Sequence, residues 1–463
     1  VTEGASRRRA LGLALALLTS CGGAPHASDH AATEDARLDV ISAAHEGPTD
    51  EPPLRGRDPD RDEIAALREA MRIAERLRSL RFARPVPVRV QSREDITAFV
   101  RSRIEDDELE QARLFYTAIG LLAADVDLRA LVLSVMGEQI AGFYDPRRHA
   151  MVVRDDVMEE MTRLVARGGT ILGTPSSMVL VHEYVHALQD QRLALDEDED
   201  DSRTIDEDNA YAALVEGDAT LTMLGIGLAG SGRTLGDLTR TRGLLRAQLS
   251  DDVEAGPAGS ELARAPAILR APLLSRYLDG LVFVGALHGG HDDTERSGFA
   301  AIDAAFGAPP ASTEAILHPE RYVTAERAAP IALPALASLA SAGWTMVDED
   351  TLGELELSIF FAQGSGHDRD REAAAGWDGD RLRVYRRAEG SGPALAFLWL
   401  SRWDDEREAI EAEAAARRVA GTVTATPTGM MEVRRVGRAI AITRGLPALA
   451  GTEIDVALDA LAR

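Results

Sequence analysis

The chain has 463 residues and carries 51 basic against 76 acidic side chains, a formal net charge of −25. Every basic residue is arginine, which excludes Schiff-base chemistry and a P-loop lysine. So acidic a chain repels phosphate backbones, which argues against nucleic acid as a partner, and its single cysteine allows neither an intrachain disulfide nor a cysteine-based zinc site. With 45% hydrophobic residues it can still bury a sizeable core, spread over two or three domains.

The N-terminus reads as an export signal. Arg7, Arg8 and Arg9 precede a short apolar run, Ala10 to Leu18, too short to span a bilayer, and Leu18-Thr19-Ser20-Cys21 follows. That tetrad resembles the lipobox of bacterial lipoproteins. The resemblance implies a signal peptide over residues 1–20 and a lipid anchor on Cys21. Gly22, in place of Asp, favours the outer membrane or cell surface if the cell is Gram-negative. Residues 21–60 are rich in Ala, Asp, Glu, Gly and Pro and read as a flexible acidic tether.

Beyond the tether, Asp60 to Leu80 has helical spacing of Ile64, Leu67, Met71, Ile73 and Leu77. Pro85 to Val90 alternates like a strand, and helical segments are predicted between Asp95 and about Val135. Gly142 to Pro146 introduces a turn, with Ala150 to Val153 as the returning strand of a hairpin. Two helical runs between about 176 and 227 flank an acidic loop. Residues 228–262 read as partly irregular, and Tyr277 to Leu287 as helix. The Ala- and Pro-rich stretch 328–343 is a plausible boundary. After it come strands at Leu382 to Tyr385 and Leu395 to Leu400 and a helix over Asp404 to Arg418. A strand pair at Met431 to Val436 and Ala439 to Thr443 and a closing helix at Glu453 to Leu461 complete the chain.

The chemistry concentrates at His182-Glu183-Tyr184-Val185-His186, an HExxH motif opened by Thr174 as cap and Pro175 at the first helical position. Residues four apart share one helix face, so both imidazoles can reach one metal ion, and Glu183 can contact a water beside it. Zinc needs a third protein ligand and an open position. Glu216 follows His186 by 30 residues, room for the helix to end, turn and return antiparallel.

These blocks carry a resemblance. His182-Glu183-x-x-His186-Ala-Leu-Gln-Asp-Gln with Glu216-Gly-Asp-Ala resembles the zinc-binding block of gluzincins, the thermolysin-like zinc metallopeptidases, as found in secreted bacterial proteins of that type. Gly142-Phe-Tyr-Asp-Pro146, Pro309 to Tyr322 and Gly376-Trp-Asp-Gly-Asp380 look like the same proteins. The resemblance implies Zn2+ held by His182, His186 and Glu216, with Glu183 as general base for a zinc-activated water attacking a peptide carbonyl. Gluzincins often place an acidic residue four after the ligand glutamate to orient a histidine. Here that position is Thr220, so Asp218 or Asp190 would take the part. For the donor that stabilises the oxyanion, the candidates are His318, Tyr277, Tyr322, His288 and His291. The hairpin around Phe143 and Met151 offers an edge strand for an extended substrate.

The expected architecture is α+β. A mainly helical zincin-like metallopeptidase domain with a small hairpin or sheet occupies 61–330, and a smaller α+β domain of unknown role occupies 331–463. The expected function is a membrane-anchored zinc peptidase acting on peptide or protein. The alternatives are a catalytically degenerate zincin-like lipoprotein serving as a binding or scaffold module, and a zinc amidase on a non-peptide substrate. Three weaker signals are discounted or minor. Gly225-Ile-Gly227-Leu-Ala-Gly230 matches a dinucleotide fingerprint but ends a helix instead of following a strand. Asp196, Asp198, Asp200 and Glu207 fall at calcium-loop positions, yet Asp201 stands where glycine is required, so Ca2+ is a minor expectation. Trp377, Trp399 and Trp403 read as core.

Overall fold

In the computed structural model the described residues are 54–463, apart from 168, 170, 172, 194, 196–202, 229–231, 240–258, 290–297, 389–393 and 423–428. Cys21, residues 21–53 of the tether, the calcium-loop aspartates and His291 therefore lie outside the described residues; the end of the stretch read as tether is docked instead, with Leu54 buried in the core and Arg57 pairing its backbone with Val90. Helix α1 (Arg61–Arg78) opens with Asp60 capping the backbone of Asp62 and Glu63, and the Glu63 carboxylate reaches back to the Asp60 N–H. This reciprocal pair contributes about 1 kcal/mol. Strand β1 (Val88–Gln91) starts only after Pro85 and Pro87, which have no N–H to give a ladder. Three helices follow, α2 (Arg93–Arg103), α3 (Asp106–Ala118) and α4 (Leu128–Gln139). The hairpin is present as β2 (Gly142–Asp145) and β3 (Ala150–Arg154), with β1 parallel to β3. In the order β1-β3-β2, strand β2 is an edge.

Helix α5 (Asp155–Ala166) leads to α6 (Pro175–Leu193), which carries the HExxH motif. Thr174 caps it as expected, its hydroxyl accepting from the Ser177 N–H at 3.2 Å. From Leu180 to Asp190 every residue of α6 is buried. Helix α7 (Ile205–Leu228) returns beside α6 and carries Glu216; Gly225 and Gly227 are ordinary positions within it. Its capping box pairs Thr204 with Glu207, so the carboxylate at the last calcium-loop position closes a helix end instead.

Helix α8 (Ala267–Gly289) is far longer than the 277–287 predicted, because it continues through Pro272. Packing of its apolar surface outweighs the one backbone donor that proline removes. α8 crosses α7 at two glycines: a Cβ on Gly217 would sit 2.3 Å from the Gly280 carbonyl oxygen, and one on Gly280 2.2 Å from that of Ala213. This backbone contact brings Tyr277 alongside Glu216. Helices α9 (Phe299–Phe306) and α10 (Thr313–Leu317) follow, and a short helix at Pro319–Val323 comes directly after them.

The C-terminal part is a five-stranded antiparallel sheet in the order β4-β5-β6-β8-β7. Its strands are β4 (Thr345–Asp350), β5 (Trp377–Arg387), β6 (Ala394–Trp403), β7 (Met431–Val436) and β8 (Ala439–Arg444). Helix α11 (Gly353–Phe361) joins β4 to β5, α12 (Glu406–Thr422) joins β6 to β7, and α13 (Gly451–Leu461) closes the chain. Alternation fills both faces. Leu382, Val384, Phe397, Trp399, Ile440 and Ile442 face α12, while Tyr385, Ala396, Leu398, Leu400 and Ala441 face α13. The three tryptophans are core, and the Trp377 and Trp399 indoles both donate to the Asp380 carboxylate. The fold is therefore α+β, with two small sheets among helices.

The two parts share one continuous core, in which Ile96, Phe115 and Leu128 join Leu357, Phe360 and Trp399. At the junction the Ile205 N–H donates to Asp350, and Asp206 accepts from the Thr313 N–H and hydroxyl. Gly353, at φ +73°, leaves room for Asp206, since a Cβ there would lie 1.8 Å from a carboxylate oxygen. Burial raises the Asp206 pKa to about 8.

Two outcomes follow from this packing. Gly280→Ala should destabilise by at least about 3 kcal/mol in urea denaturation, since neither backbone can retreat. A carboxyl protonated in the fold and ionised when unfolded contributes most below its unfolded pKa, and that contribution is lost as pH rises through about 8. Melts between pH 5 and 8 should accordingly show wild type losing stability relative to Asp206→Asn as pH increases.

Candidate metal centre

Three side chains on α6 and α7 converge. His182 Nε2 lies 2.9 Å from Glu216 Oε2, and His186 Nε2 lies 3.5 Å from Glu216 Oε1. The three ligand atoms are all within 4.8 Å of one another, and all three residues are buried. A tetrahedral ion with bonds of about 2.1 Å holds its ligand atoms about 3.4 Å apart, so the spacing suits a first-row divalent ion. The imidazole planes stand at 84° with centroids 4.7 Å apart, so the rings do not stack against each other.

The electrostatics suit a cation. Burial lowers both histidine pKa values to about 4, which keeps the imidazoles neutral as metal ligands require. Burial also raises the Glu216 pKa to about 7, and the carboxylate oxygen Oε1 lies outside ordinary hydrogen-bond geometry. A buried carboxylate in that position gains from a divalent charge between it and two neutral nitrogens.

A second layer fixes the ligands. His186 Nδ1 meets Gln189 Oε1 at 2.8 Å. The Gln189 amide nitrogen donates to the Val215 carbonyl and to Asp218, at 3.0 and 2.8 Å, which leaves only its oxygen for the histidine. His186 must then carry its proton on Nδ1 and present Nε2 to Glu216. Asp218 is neutralised by the fully buried Arg78, whose other arm reaches Asp303. Asp218 thus supports His186 through Gln189. Asp190 touches neither His182 nor His186: it accepts from the Tyr144 hydroxyl and pairs with Arg84, which also donates to His149.

Glu183 is 7% exposed, and its Oε2 accepts the Tyr144 N–H of edge strand β2 at 2.9 Å. Burial, then the charge of Glu216, hold its pKa well above the usual carboxylate range, against the pull of that N–H. Tyr277 on α8 is also at the centre. Its ring lies 5.9 Å from that of His182, and burial next to Glu216 and Glu183 keeps its hydroxyl protonated. Arg276 beside it is buried, bonds Asn209 and feels Glu216.

The other candidates sit in different surroundings. His318 bonds Glu354 of α11 at 3.0 Å, which raises its pKa. His288, eleven residues beyond Tyr277 on α8, meets Thr239 and Phe299. The Tyr322 hydroxyl donates to the Ala308 carbonyl. Sequence reasoning missed Gln189, Arg78 and Tyr144. Only Gln189 had a local signal, one helical turn after His186.

Residues 338–455 match the model of a domain of unknown function, DUF8575. None of the residues of the candidate centre lies in that stretch. No curated protein and no solved structure matches the chain.

The centre should take up one divalent ion per chain. Glu216→Gln is expected to abolish that uptake in equilibrium dialysis, and Gln189→Leu to weaken it by about 10–100-fold without changing stoichiometry.

Proposed function

We propose that the chain is a gluzincin-like zinc metallopeptidase, exported and anchored to the cell envelope through lipidated Cys21, that hydrolyses peptide bonds. The observation that carries the reading is the buried convergence of His182, His186 and Glu216, with Glu183 beside them and tied to an edge strand. Zinc bound there would polarise a substrate carbonyl and make water nucleophilic near neutral pH.

The chain's own residues do the rest. Glu183 holds Oε2 against the Tyr144 N–H and uses Oε1 to accept a proton from the attacking water. As the water oxygen bonds to the carbonyl carbon and the C–N bond breaks, Glu183 passes that proton to the leaving amine. The neutral Tyr277 hydroxyl donates to the developing oxyanion. Strand β2 lies at the edge of its sheet next to Glu183, with its Tyr144 N–H committed to that carboxylate. Among the described residues no helix is long and apolar enough to cross a membrane.

Protein purified with zinc should cleave denatured casein, and a chelator should stop cleavage reversibly. Glu183→Gln should retain zinc but lose at least about 100-fold in kcat. Hydrolysis of peptidoglycan amides with no cleavage of peptides would replace this reading with an amidase. Failure to hold zinc would end both.

A further inference from the structure

We propose that Asp190 is a positioning residue for Glu183, acting through Tyr144. The inference rests on the peptidase reading only for its turnover measurement.

Tyr144 is 1% exposed and bonds the same helix twice. Its N–H donates to Glu183 at 2.9 Å, and its hydroxyl donates to Asp190. Glu183 and Asp190 are seven residues apart, two turns or about 10 Å along one face of α6. One tyrosine therefore staples β2 to α6 at both ends of the span that includes the metal-binding histidine His186.

The staple matters because β2 has a ladder neighbour on one side only, β3. Its ladder bonds fix register against β3 but not distance from α6. That distance sets the Tyr144 N–H to Glu183 bond, the hydrogen bond that holds the carboxylate.

Asp190 also gathers the other segments that limit the hairpin. It pairs with Arg84, on the approach to β1, at 2.8 Å, and His149 Nδ1 lies 3.1 Å away. His149 lies in the β2–β3 turn at φ +52°, and its Nδ1 accepts from Arg84 at 2.9 Å, so the turn reaches Asp190 through that guanidinium. The adjacent Gln191 accepts the Ala83 and Arg84 N–H groups. One carboxylate thus ties edge strand, hairpin turn and β1 approach to the helix carrying Glu183.

The test uses zinc-loaded full-length Tyr144→Phe, which removes the hydroxyl and keeps the N–H. Hydrogen exchange at residues 142–145 should quicken while that at 180–190 stays unchanged. On casein-derived peptides kcat should fall about ten-fold with KM within about two-fold of wild type. Asp190→Asn should add little to Tyr144→Phe in the double variant, since both act on one contact. If Asp190→Asn does not fold, the exchange measurement on Tyr144→Phe still decides. Unchanged exchange at 142–145, or lower kcat only together with lost zinc or a collapsed Tm, overturns the proposal. Quickened exchange in a wild-type background that cleaves no peptide supports the staple and sinks the peptidase reading instead.

Discussion

The structure depends on one constraint: α6 is buried on every side through the stretch that carries its polar residues. A surface helix can leave such side chains to water, but this one must satisfy them internally. His182 and His186 turn to Glu216, Glu183 to the Tyr144 N–H, and Gln189 to Asp218 and Val215. Asp190 collects Tyr144 and Arg84, and His149 through Arg84. The positions of α1, α7 and the hairpin around α6 are the positions at which those partners are in reach. Stability and the candidate chemistry therefore draw on the same bonds.

Two ways of housing a buried carboxylate coexist. Around the candidate centre the solution is ionic, with Arg78 meeting Asp218 in a fully buried pair. Arginine suits that role because it keeps its charge where a lysine would shed its proton. At the junction with the C-terminal sheet the solution is hydrogen bonding. Asp380 accepts from two indoles and from the Leu352 and Gly353 N–H groups, and Glu356 from the Tyr116 hydroxyl. Burial pushes the pKa of both carboxyls upward, against the pull of these hydrogen-bond donors.

Much of this was legible from local pattern. Thr174, Pro175 and the two histidines mark α6, and the return spacing to Glu216 brings a carboxylate to the right place on α7. Asp190 shows where such reading stops. The sequence offered it as a partner for a histidine, but docking of a hairpin some forty residues upstream gives it to Tyr144. Gly217 is similar: a helical glycine reads as a weak point until α8 supplies the Gly280 backbone that forbids a Cβ. Pro272 reads as a helix end because the local cost is visible and the tertiary gain is not. Strand β4, with exposed Thr345 and Met346 and a run of acids, has too little alternation to register as a strand.

Helix α7 has 24 residues and so runs about 36 Å. Its first turn is bonded to Asp350 and Thr351 of the C-terminal part, its middle carries Glu216, and Ile226 near its far end enters the core around α1. It is a beam supported at both ends with the metal ligand at midspan. A chain cut at the apparent boundary near residue 330 would free the first turn of that beam, leaving Glu216 held at midspan by α6 and α8 and at the far end by the core around α1. The C-terminal sheet is thus an abutment for the candidate centre, although it contributes no residue to it.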